Sequence, residues 1–251
     1  MNRKLILFII SAFIFVIALF FIQQALNINF EKIMLTQFAP ALAYIITIFV
    51  FRDLFIPIKI NVNKIAILKT LLSIIIPCCL TAVVYYISKI IKLDIQIDIN
   101  IPKIMFTIGI GVIIGSIGEE IGWRSFLQPA LEKKYSVIFS SIIVGLIWGL
   151  WHMQHYINGI LFVLVYIIFT ISVSIILVFV LKDTKYNIII SSIFHASINI
   201  SFRIFFGENL DSNVILRIFL IYSIIWLIFA AIIVFCNKGY YMNNKVSKIG
   251  T

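Results

Sequence analysis

The chain has 251 residues, of which 63% are hydrophobic and 12% are charged, and its mean hydropathy is +1.15. Soluble globular domains are about 45–50% apolar and about 25% charged, so this composition excludes an ordinary soluble protein. The net charge of +10 could indicate a nucleic-acid partner, but the distribution of the basic residues favours a membrane. With the N-terminus inside, fourteen Lys and Arg residues fall in the inner segments and six in the outer ones, which follows the positive-inside rule. We therefore predict a multi-pass protein of the cell membrane, with both termini in the cytoplasm and no nucleic-acid partner.

Eight apolar runs are long enough to cross the hydrocarbon core, which takes about 20 residues per helix. They are predicted at roughly 5–22, 34–51, 70–91, 103–127, 137–157, 160–181, 187–206 and 214–235. The first run is longer than the apolar part of a secretory signal and no A-x-A-like site follows it, so it is predicted to remain as a helix. The basic stretch 52–69 is predicted to be an amphipathic segment at the membrane interface. The expected fold is all-α, a polytopic membrane bundle of about eight transmembrane helices in a single integral membrane domain, 1–251.

Charged residues inside the apolar runs are a signal of function, because each costs about 2.5–3.5 kcal/mol at the centre of a membrane helix. In the fourth run, Glu120 and Arg124 are four residues apart and can pair on one helix face. Glu119 lies about 100° around the helix from Glu120 and has no such partner. A stripe of small residues beside it would let a neighbouring helix approach closely. The stripe consists of Gly111, Gly115, Gly118 and Gly122.

Glu119 is therefore predicted to point into a seam between helices, where a carboxylate suits a general base or acid. The alternative is a purely structural Glu/Arg cluster at the cytoplasmic end of the helix. That alternative applies more readily to the Glu120–Arg124 pair than to Glu119.

All three histidines of the chain lie in predicted spans. His195 and Asn199 are four residues apart and share a helix face, where an imidazole and an amide can hold a metal, a water or an oxyanion. The alternative is a pair of residues that only hydrogen-bond between helices, with an average contribution of about 0.6 kcal/mol. His152 is a candidate for the same site. His155 is predicted to be an interfacial histidine beside Tyr156.

A depth estimate tests whether the candidate residues can meet. With a rise of about 1.5 Å per residue from the cytoplasmic helix ends, Glu119 and His195 lie about 12 Å deep. The same rule puts Asn199 and His152 at about 18 and 22 Å. The four side chains fall in a zone about 10 Å tall within a hydrocarbon core of about 30 Å. A common site is therefore predicted, with His152 as its most distant member.

Three short motifs follow one another through the spans: Glu119-Glu120-x-x-x-Arg124, Trp148-x-x-x-His152 and His195-x-x-x-Asn199. Their order and placement resemble the motifs of the CPBP intramembrane proteases, which include the type II CAAX prenyl proteases and the abortive-infection-type relatives. The likeness covers the segment from Glu119 to Asn199, within a motif core of about 103–206. The stretch from Gln37 to Ala41 is also similar to the start of the family's second helix. One departure is Trp148, where the family usually has Phe.

The resemblance implies an enzyme, an intramembrane endopeptidase that hydrolyses a peptide bond of a membrane-embedded or lipid-modified peptide or protein. Glu119 and His152 would activate a water, assisted by His195 and Asn199, which would bind a metal or stabilise the oxyanion. Glu120 and Arg124 would hold the helix in register. The implied catalytic residues are Glu119, Glu120, Arg124, His152, His195 and Asn199.

A divalent metal, zinc, is the cofactor that this site could carry. Two histidines and one carboxylate can form an open zinc site of the hydrolytic kind, and the candidate ligands are Glu119, His152 and His195. The same residues could also perform a glutamate-based hydrolysis without metal, so both mechanisms stay open.

Two other functions are open. A non-catalytic membrane protein, such as a bacteriocin-immunity or binding factor, could retain the same scaffold and use its polar residues as contacts between helices. A transporter or channel would need inverted repeats with broken helices in both halves, whereas the polar residues here lie in runs four, five and seven. The expected partners are the lipid bilayer and a peptide or protein substrate.

Overall fold

The computed structural model describes residues 3–30, 32–52, 57–93, 95, 109–207 and 210–242. These residues form a bundle of helices: α1 Arg3–Ala25, α2 Ala39–Val50, α3 Lys64–Ile90, α4 Gly109–Gly122, α5 Gln128–Glu132, α6 Val137–Trp151, α7 Ile160–Val180, α8 Ile188–Phe206, α9 Ser212–Cys236 and α10 Lys238–Met242. Two 3₁₀ turns, Leu35–Phe38 and Met153–Asn158, precede α2 and α7. A π-helical turn, Trp123–Leu127, joins α4 to α5.

Four of these helices start directly after a polar residue whose side chain accepts a hydrogen bond from the first turn. Asn63 caps α3, Ser136 caps α6, Asn187 caps α8 and Asp211 caps α9. Such caps satisfy backbone N–H groups that have no partner within the helix. The caps therefore mark where the chain enters an apolar run, and they set the start of each of these helices.

Five of the described helices are long and apolar enough to cross a membrane: α1, α3, α7, α8 and α9. They differ in burial, since 72% of the most apolar window of α7 is buried but only 22% of that of α3. α7 is therefore central in the bundle, whereas α1 and α3 expose rows of isoleucine and other large apolar side chains. An apolar surface of this extent needs lipid as its solvent. The predicted all-α, polytopic membrane bundle is confirmed.

The predicted bounds of the last three runs agree with α7, α8 and α9 to within two residues. The basic stretch 52–69 is shorter as a separate segment than predicted, because α3 already begins at Lys64, directly after its cap. Its residues 53–56, and residues 103–108 at the start of the fourth run, lie outside the described residues. Since α2, α4 and α6 have 12, 14 and 15 residues, the count of eight spans stays a prediction.

The glycine stripe of α4 packs against the chain segment 32–40. A methyl group at Gly118 would lie 2.8 Å from the carbonyl oxygen of Gln37, and one at Gly122 would overlap a proline in the first turn of α2. Only glycine allows the two backbones to approach so closely. On another side α4 packs on α8. The predicted close approach is confirmed, and it brings Gln37 and His195 to the two glutamates of α4.

Candidate active site

A cavity of about 280 Å³ lies between α4, α6, α8 and the 3₁₀ turn that precedes α2. Four of the six predicted catalytic residues line it: Glu119, His152, His195 and Asn199. They come from three helical segments that are far apart in sequence, and the structure brings them together as the depth estimate predicted. Glu119, His152 and His195 are only 1%, 7% and 4% exposed. The groups that could react are therefore shielded from bulk solvent.

Glu119 is held by two hydrogen-bond donors from other parts of the chain. Gln37 Nε2 donates to its Oε1 at 3.0 Å, and the indole Nε1 of Trp148 donates to its Oε2 at 2.7 Å. Both oxygens are thereby fixed by neutral donors, so the carboxylate has a defined orientation at the cavity wall. His195 Nε2 lies 4.0 Å from Glu119 Oε1, a gap that one water molecule can bridge.

His152 is the first residue beyond α6, with backbone angles of φ −74° and ψ 62°. The ring Nδ1 of His152 lies 2.8 Å from the carbonyl oxygen of Trp148. In a continuing helix, the backbone N–H of His152 would donate to this carbonyl. It donates instead to the carbonyl oxygen of Gly149, at 3.3 Å. The prediction of one uninterrupted span over 137–157 is therefore wrong, because the ring competes with the backbone for this carbonyl. The carbonyl can only accept, so Nδ1 carries the proton of the neutral ring and Nε2 keeps its lone pair.

Glu120 and Arg124 form the predicted ion pair, with Arg124 Nε 3.4 Å from Glu120 Oε2 and both side chains fully buried. The guanidinium also lies over the ring of Trp148, 4.7 Å from its centroid. Glu120 has a further contact that the sequence did not indicate, because its Oε1 accepts a hydrogen bond from His195 Nδ1 at 3.0 Å. That bond leaves Nε2 of the neutral His195 ring pointing toward Glu119. Glu120 and Arg124 are not among the residues that line the cavity, so they position the site from behind.

Three residues of the site were not among the predicted catalytic ones. His155, predicted to be interfacial beside Tyr156, instead lines the cavity and stacks on His152, with ring centroids 5.8 Å apart and 13° between the planes. The 3₁₀ turn after α6 directs it inward. Gln37 and Trp148, the donors to the active-site carboxylate, were noted in the sequence only for their resemblance to family positions. The family motifs therefore indicate that Gln37 and Trp148 matter, but they do not indicate that both residues donate to Glu119.

Two cationic side chains lie at the wall of the same cavity. Lys32 and Arg203 line it, and Arg203 Nη1 donates to the carbonyl oxygen of Asn199 at 3.3 Å. Positive groups and an amide beside a carboxylate can bind the carbonyl oxygens of a peptide and stabilise charge that develops on them.

The fit of a metal can be judged from the donor set. Within the described parts of the chain, no three His, Cys, Asp or Glu side chains are grouped as a metal site would require. Both oxygens of Glu119 already accept hydrogen bonds, whereas His152 and His195 bond through Nδ1 and keep Nε2 free for a ligand. Zinc needs its nitrogen and oxygen ligands at about 2.0–2.2 Å. Glu119, His152 and His195 share a cavity but do not fit a zinc ion in this arrangement.

Fold and site together define a class, a helical membrane protein with a carboxylate, two histidines and an amide around a buried cavity. Residues 101–201 match the family described as Type II CAAX prenyl endopeptidase Rce1-like. This segment contains all six predicted catalytic residues. Over this segment, the match supports the family resemblance that the three motifs predicted.

Two curated relatives, both named Lysostaphin resistance protein A, are similar over a longer part of the chain. The protein of Staphylococcus haemolyticus (strain JCSC1435) is 29% identical over 185 residues, which are 70% of this chain and 50% of the relative. The protein of Staphylococcus aureus (strain Newman) is 28% identical over 198 residues, or 75% of this chain and 46% of the relative. The chain thus spans about half the length of the curated relatives that it matches.

Proposed function

We propose that this chain is an intramembrane endopeptidase, which hydrolyses a peptide bond of a membrane-embedded or lipid-modified peptide or protein. The observation that carries the proposal is the setting of Glu119, a nearly buried carboxylate at a cavity wall, held by two neutral donors. Unlike Glu120, which is paired with Arg124, Glu119 lies at a cavity wall beside two histidines and an amide, where its charge can act on a bound water. The family match over residues 101–201 supports the same class of reaction.

The reaction that these residues suit is general-base hydrolysis. Glu119 takes a proton from a water molecule that is oriented by His152, while the water oxygen attacks the carbonyl carbon of the peptide. Asn199 and His195, the latter with its Nε2 also protonated, donate hydrogen bonds to the reacting carbonyl and stabilise the negative charge that develops on its oxygen. When the C–N bond breaks, the proton on Glu119 passes to the leaving nitrogen. The products are a carboxyl group and an amine, so the hydroxyl and the proton of one water are accounted for.

Cleavage of a defined peptide by the purified protein tests the proposal. The probe is a farnesylated, quenched-fluorescent peptide that ends in a CAAX sequence, offered to the full chain in detergent micelles. Glu119→Gln keeps the size of the side chain and one of its two accepting oxygens but cannot accept the proton. We expect it to lower the cleavage rate by at least about 100-fold, the lower range for general acid–base catalysis.

Glu132→Gln is the matched control for this test. Glu132 is also a buried glutamate, it lies in α5, and it accepts a hydrogen bond from Gln128 at 2.8 Å, which a glutamine oxygen can still accept. It does not line the catalytic cavity, so the control should cleave at a rate close to that of the wild type. Unchanged cleavage by both Glu119→Gln and His152→Ala would contradict the proposed site.

A bound metal stays a prediction, and it has its own test. The metal content of the purified wild type is measured beside that of His152→Ala and His195→Ala. Loss of one metal equivalent in both variants would support a metal site and would require the cavity side chains to rearrange around the ion. A metal-free wild type that cleaves the peptide would contradict the prediction of a metal.

The names of the relatives favour a second candidate, a membrane factor that confers resistance without catalysis. Such a factor would use the same buried polar residues only as contacts between helices. The distinguishing experiment expresses Glu119→Ala, His195→Ala as a double variant and measures survival in lysostaphin. A folded double variant that protects as well as the wild type would favour this candidate over the peptidase.

A further inference from the structure

A second cavity, of about 360 Å³, lies beyond the carboxyl end of α7, away from the catalytic residues. Three basic side chains line it: Lys59, Lys182 and Lys185. Ser125 also lines it, and the remaining lining residues are Pro57, Pro129, Leu181, Asp183, Tyr186 and Tyr240. With three lysines and one aspartate, the lining carries a net positive charge.

The cavity lies where the membrane helices end. Lys182 is the second residue after α7, which has 21 residues and is therefore about 30 Å long, the thickness of the hydrocarbon core. Lys185 lies between α7 and the cap of α8. The lysines are thus at the level of the lipid headgroups. In the predicted orientation this is the cytoplasmic side, whose leaflet carries anionic lipids.

Backbone and side-chain hydrogen bonds hold Lys59 against the turn that carries the other two lysines. Ile188 N donates to the carbonyl oxygen of Lys59 at 3.0 Å. Asn187 Nδ2 donates to the carbonyl oxygen of Asn61 at 2.7 Å, and Asn61 Nδ2 donates to that of Thr184 at 3.3 Å. Two segments that are distant in sequence are joined in this way. The three lysines are therefore assembled on a fixed frame rather than scattered over a surface.

The turn itself has an unfavourable backbone. Asp183, Lys185 and Tyr186 have φ values of 67°, 56° and 59°, a left-handed conformation that residues with a Cβ rarely adopt. Such conformations persist where the surrounding structure holds them, and they cluster at functional sites. The strain therefore agrees with a turn whose shape is needed for binding.

A buried hydroxyl gives an independent indication of a ligand. Ser125 is 3% exposed, lies in the π-helical turn after α4 and lines the cavity. Within the described part of the chain, its Oγ has no hydrogen-bond partner. A buried polar group without a partner is unfavourable. A ligand with acceptor oxygens in this cavity would satisfy the hydroxyl and the three lysines together.

We infer that this cavity binds the phosphate group of an anionic phospholipid. Phosphate oxygens accept hydrogen bonds from lysine ammonium groups and from a serine hydroxyl, and basic pockets between membrane helices recognise such headgroups. The apolar wall formed by Pro57, Pro129 and Leu181 contacts the glycerol and the first methylenes of the acyl chains. The inference is independent of the peptidase proposal, because none of the six predicted catalytic residues lines this cavity.

Native mass spectrometry of the purified full chain in detergent tests the inference. The protein is titrated with short-chain phosphatidylglycerol, with phosphatidylcholine of the same chain length and with inorganic phosphate. We expect one phosphatidylglycerol to bind more tightly than either other probe. A triple variant, Lys59→Gln, Lys182→Gln and Lys185→Gln, should weaken this binding on the order of 100-fold, since each basic residue contributes about fivefold. Ser125→Ala, which keeps every charge, should weaken it about tenfold.

The matched control removes the same charge from the same end of the bundle but outside the cavity, with Lys133→Gln, Lys134→Gln and Lys238→Gln. This variant should bind phosphatidylglycerol like the wild type. Equal weakening in both triple variants, or unchanged binding by Ser125→Ala, would overturn the inference in favour of general surface attraction. Inorganic phosphate that binds as tightly as phosphatidylglycerol would overturn the lipid assignment and identify free phosphate as the ligand. Absence of binding by all three probes would overturn the site itself.

Discussion

Two adjacent carboxylates on α4 have opposite surroundings. Glu119 faces the cavity and accepts hydrogen bonds from the neutral donors Gln37 and Trp148, whereas Glu120 faces the packed side, where it contacts Arg124 and His195. Both are almost completely buried, so burial does not distinguish them. Their partners distinguish them. Arg124 neutralises the charge of Glu120, whereas Glu119 has no such cation and can accept a proton. The cavity side of α4 is thus suited to chemistry, and the packed side to stability.

Breaking the ion pair on the packed side should give the largest effect on stability. Glu120→Gln leaves Arg124 buried without its counterion, and loss of one partner of a buried pair costs about 3–5 kcal/mol. We expect a clear drop in the midpoint of thermal unfolding, measured by scanning fluorimetry in detergent. The double variant Glu120→Gln, Arg124→Met removes both charges and should recover part of the loss. A double variant as unstable as the sum of its single variants would show that the two residues do not act as a pair.

Widening the seam between α4 and α2 should have a smaller effect. Alanine at Gly122 would overlap Pro40, and overpacking of this kind typically costs about 1–3 kcal/mol. Gly239→Ala is the matched control, because among the residues that the structure describes nothing lies within 4 Å of a methyl group there. Thermal unfolding of the two variants is compared directly. Equal unfolding midpoints would contradict the role of the glycine stripe in bringing the two helices together.

Removing one donor from Glu119 should change activity rather than stability, by a free energy comparable to that of Gly122→Ala. Trp148→Phe keeps an aromatic ring, the one the family usually has, but loses the indole N–H that contacts Oε2. A hydrogen bond to a charged group contributes about 1.5–3 kcal/mol, so we expect peptide cleavage to slow by roughly tenfold or more. Trp151→Phe is the control, since its indole donates to the Ala12 carbonyl instead. Similar cleavage rates for the two variants would mean that orienting the carboxylate is unimportant.

The sequence predicted those features that follow from short-range spacing. Apolar runs gave α7, α8 and α9 to within two residues, since lipid requires long uninterrupted apolar helices. The four-residue spacing predicted the Glu120–Arg124 pair and the shared face of His195 and Asn199. The glycine stripe predicted a close neighbour for α4, because small residues along one face of a helix let the backbone of a neighbouring segment approach.

Contacts between distant segments could not be predicted in the same way. Gln37 is 82 residues from Glu119, and Trp148 is 29 residues away, so spacing along one helix says nothing about either hydrogen bond. The 3₁₀ turn that directs His155 inward begins where the His152 ring, in place of the backbone N–H, bonds to the carbonyl oxygen of Trp148. Tertiary packing determines whether the ring or the backbone makes this bond. The second cavity likewise depends on the contact of residues 57–61 with residues 184–188, which no periodicity in the sequence indicates.

The most direct test of the division between the two sides of α4 measures Glu119→Gln and Glu120→Gln side by side, for both cleavage of the farnesylated peptide and thermal unfolding. We expect Glu119→Gln to unfold near the wild-type midpoint but to cleave at least about 100-fold more slowly. We expect Glu120→Gln to show the clear loss of stability. Cleavage at the wild-type rate by a folded Glu119→Gln protein would contradict the account.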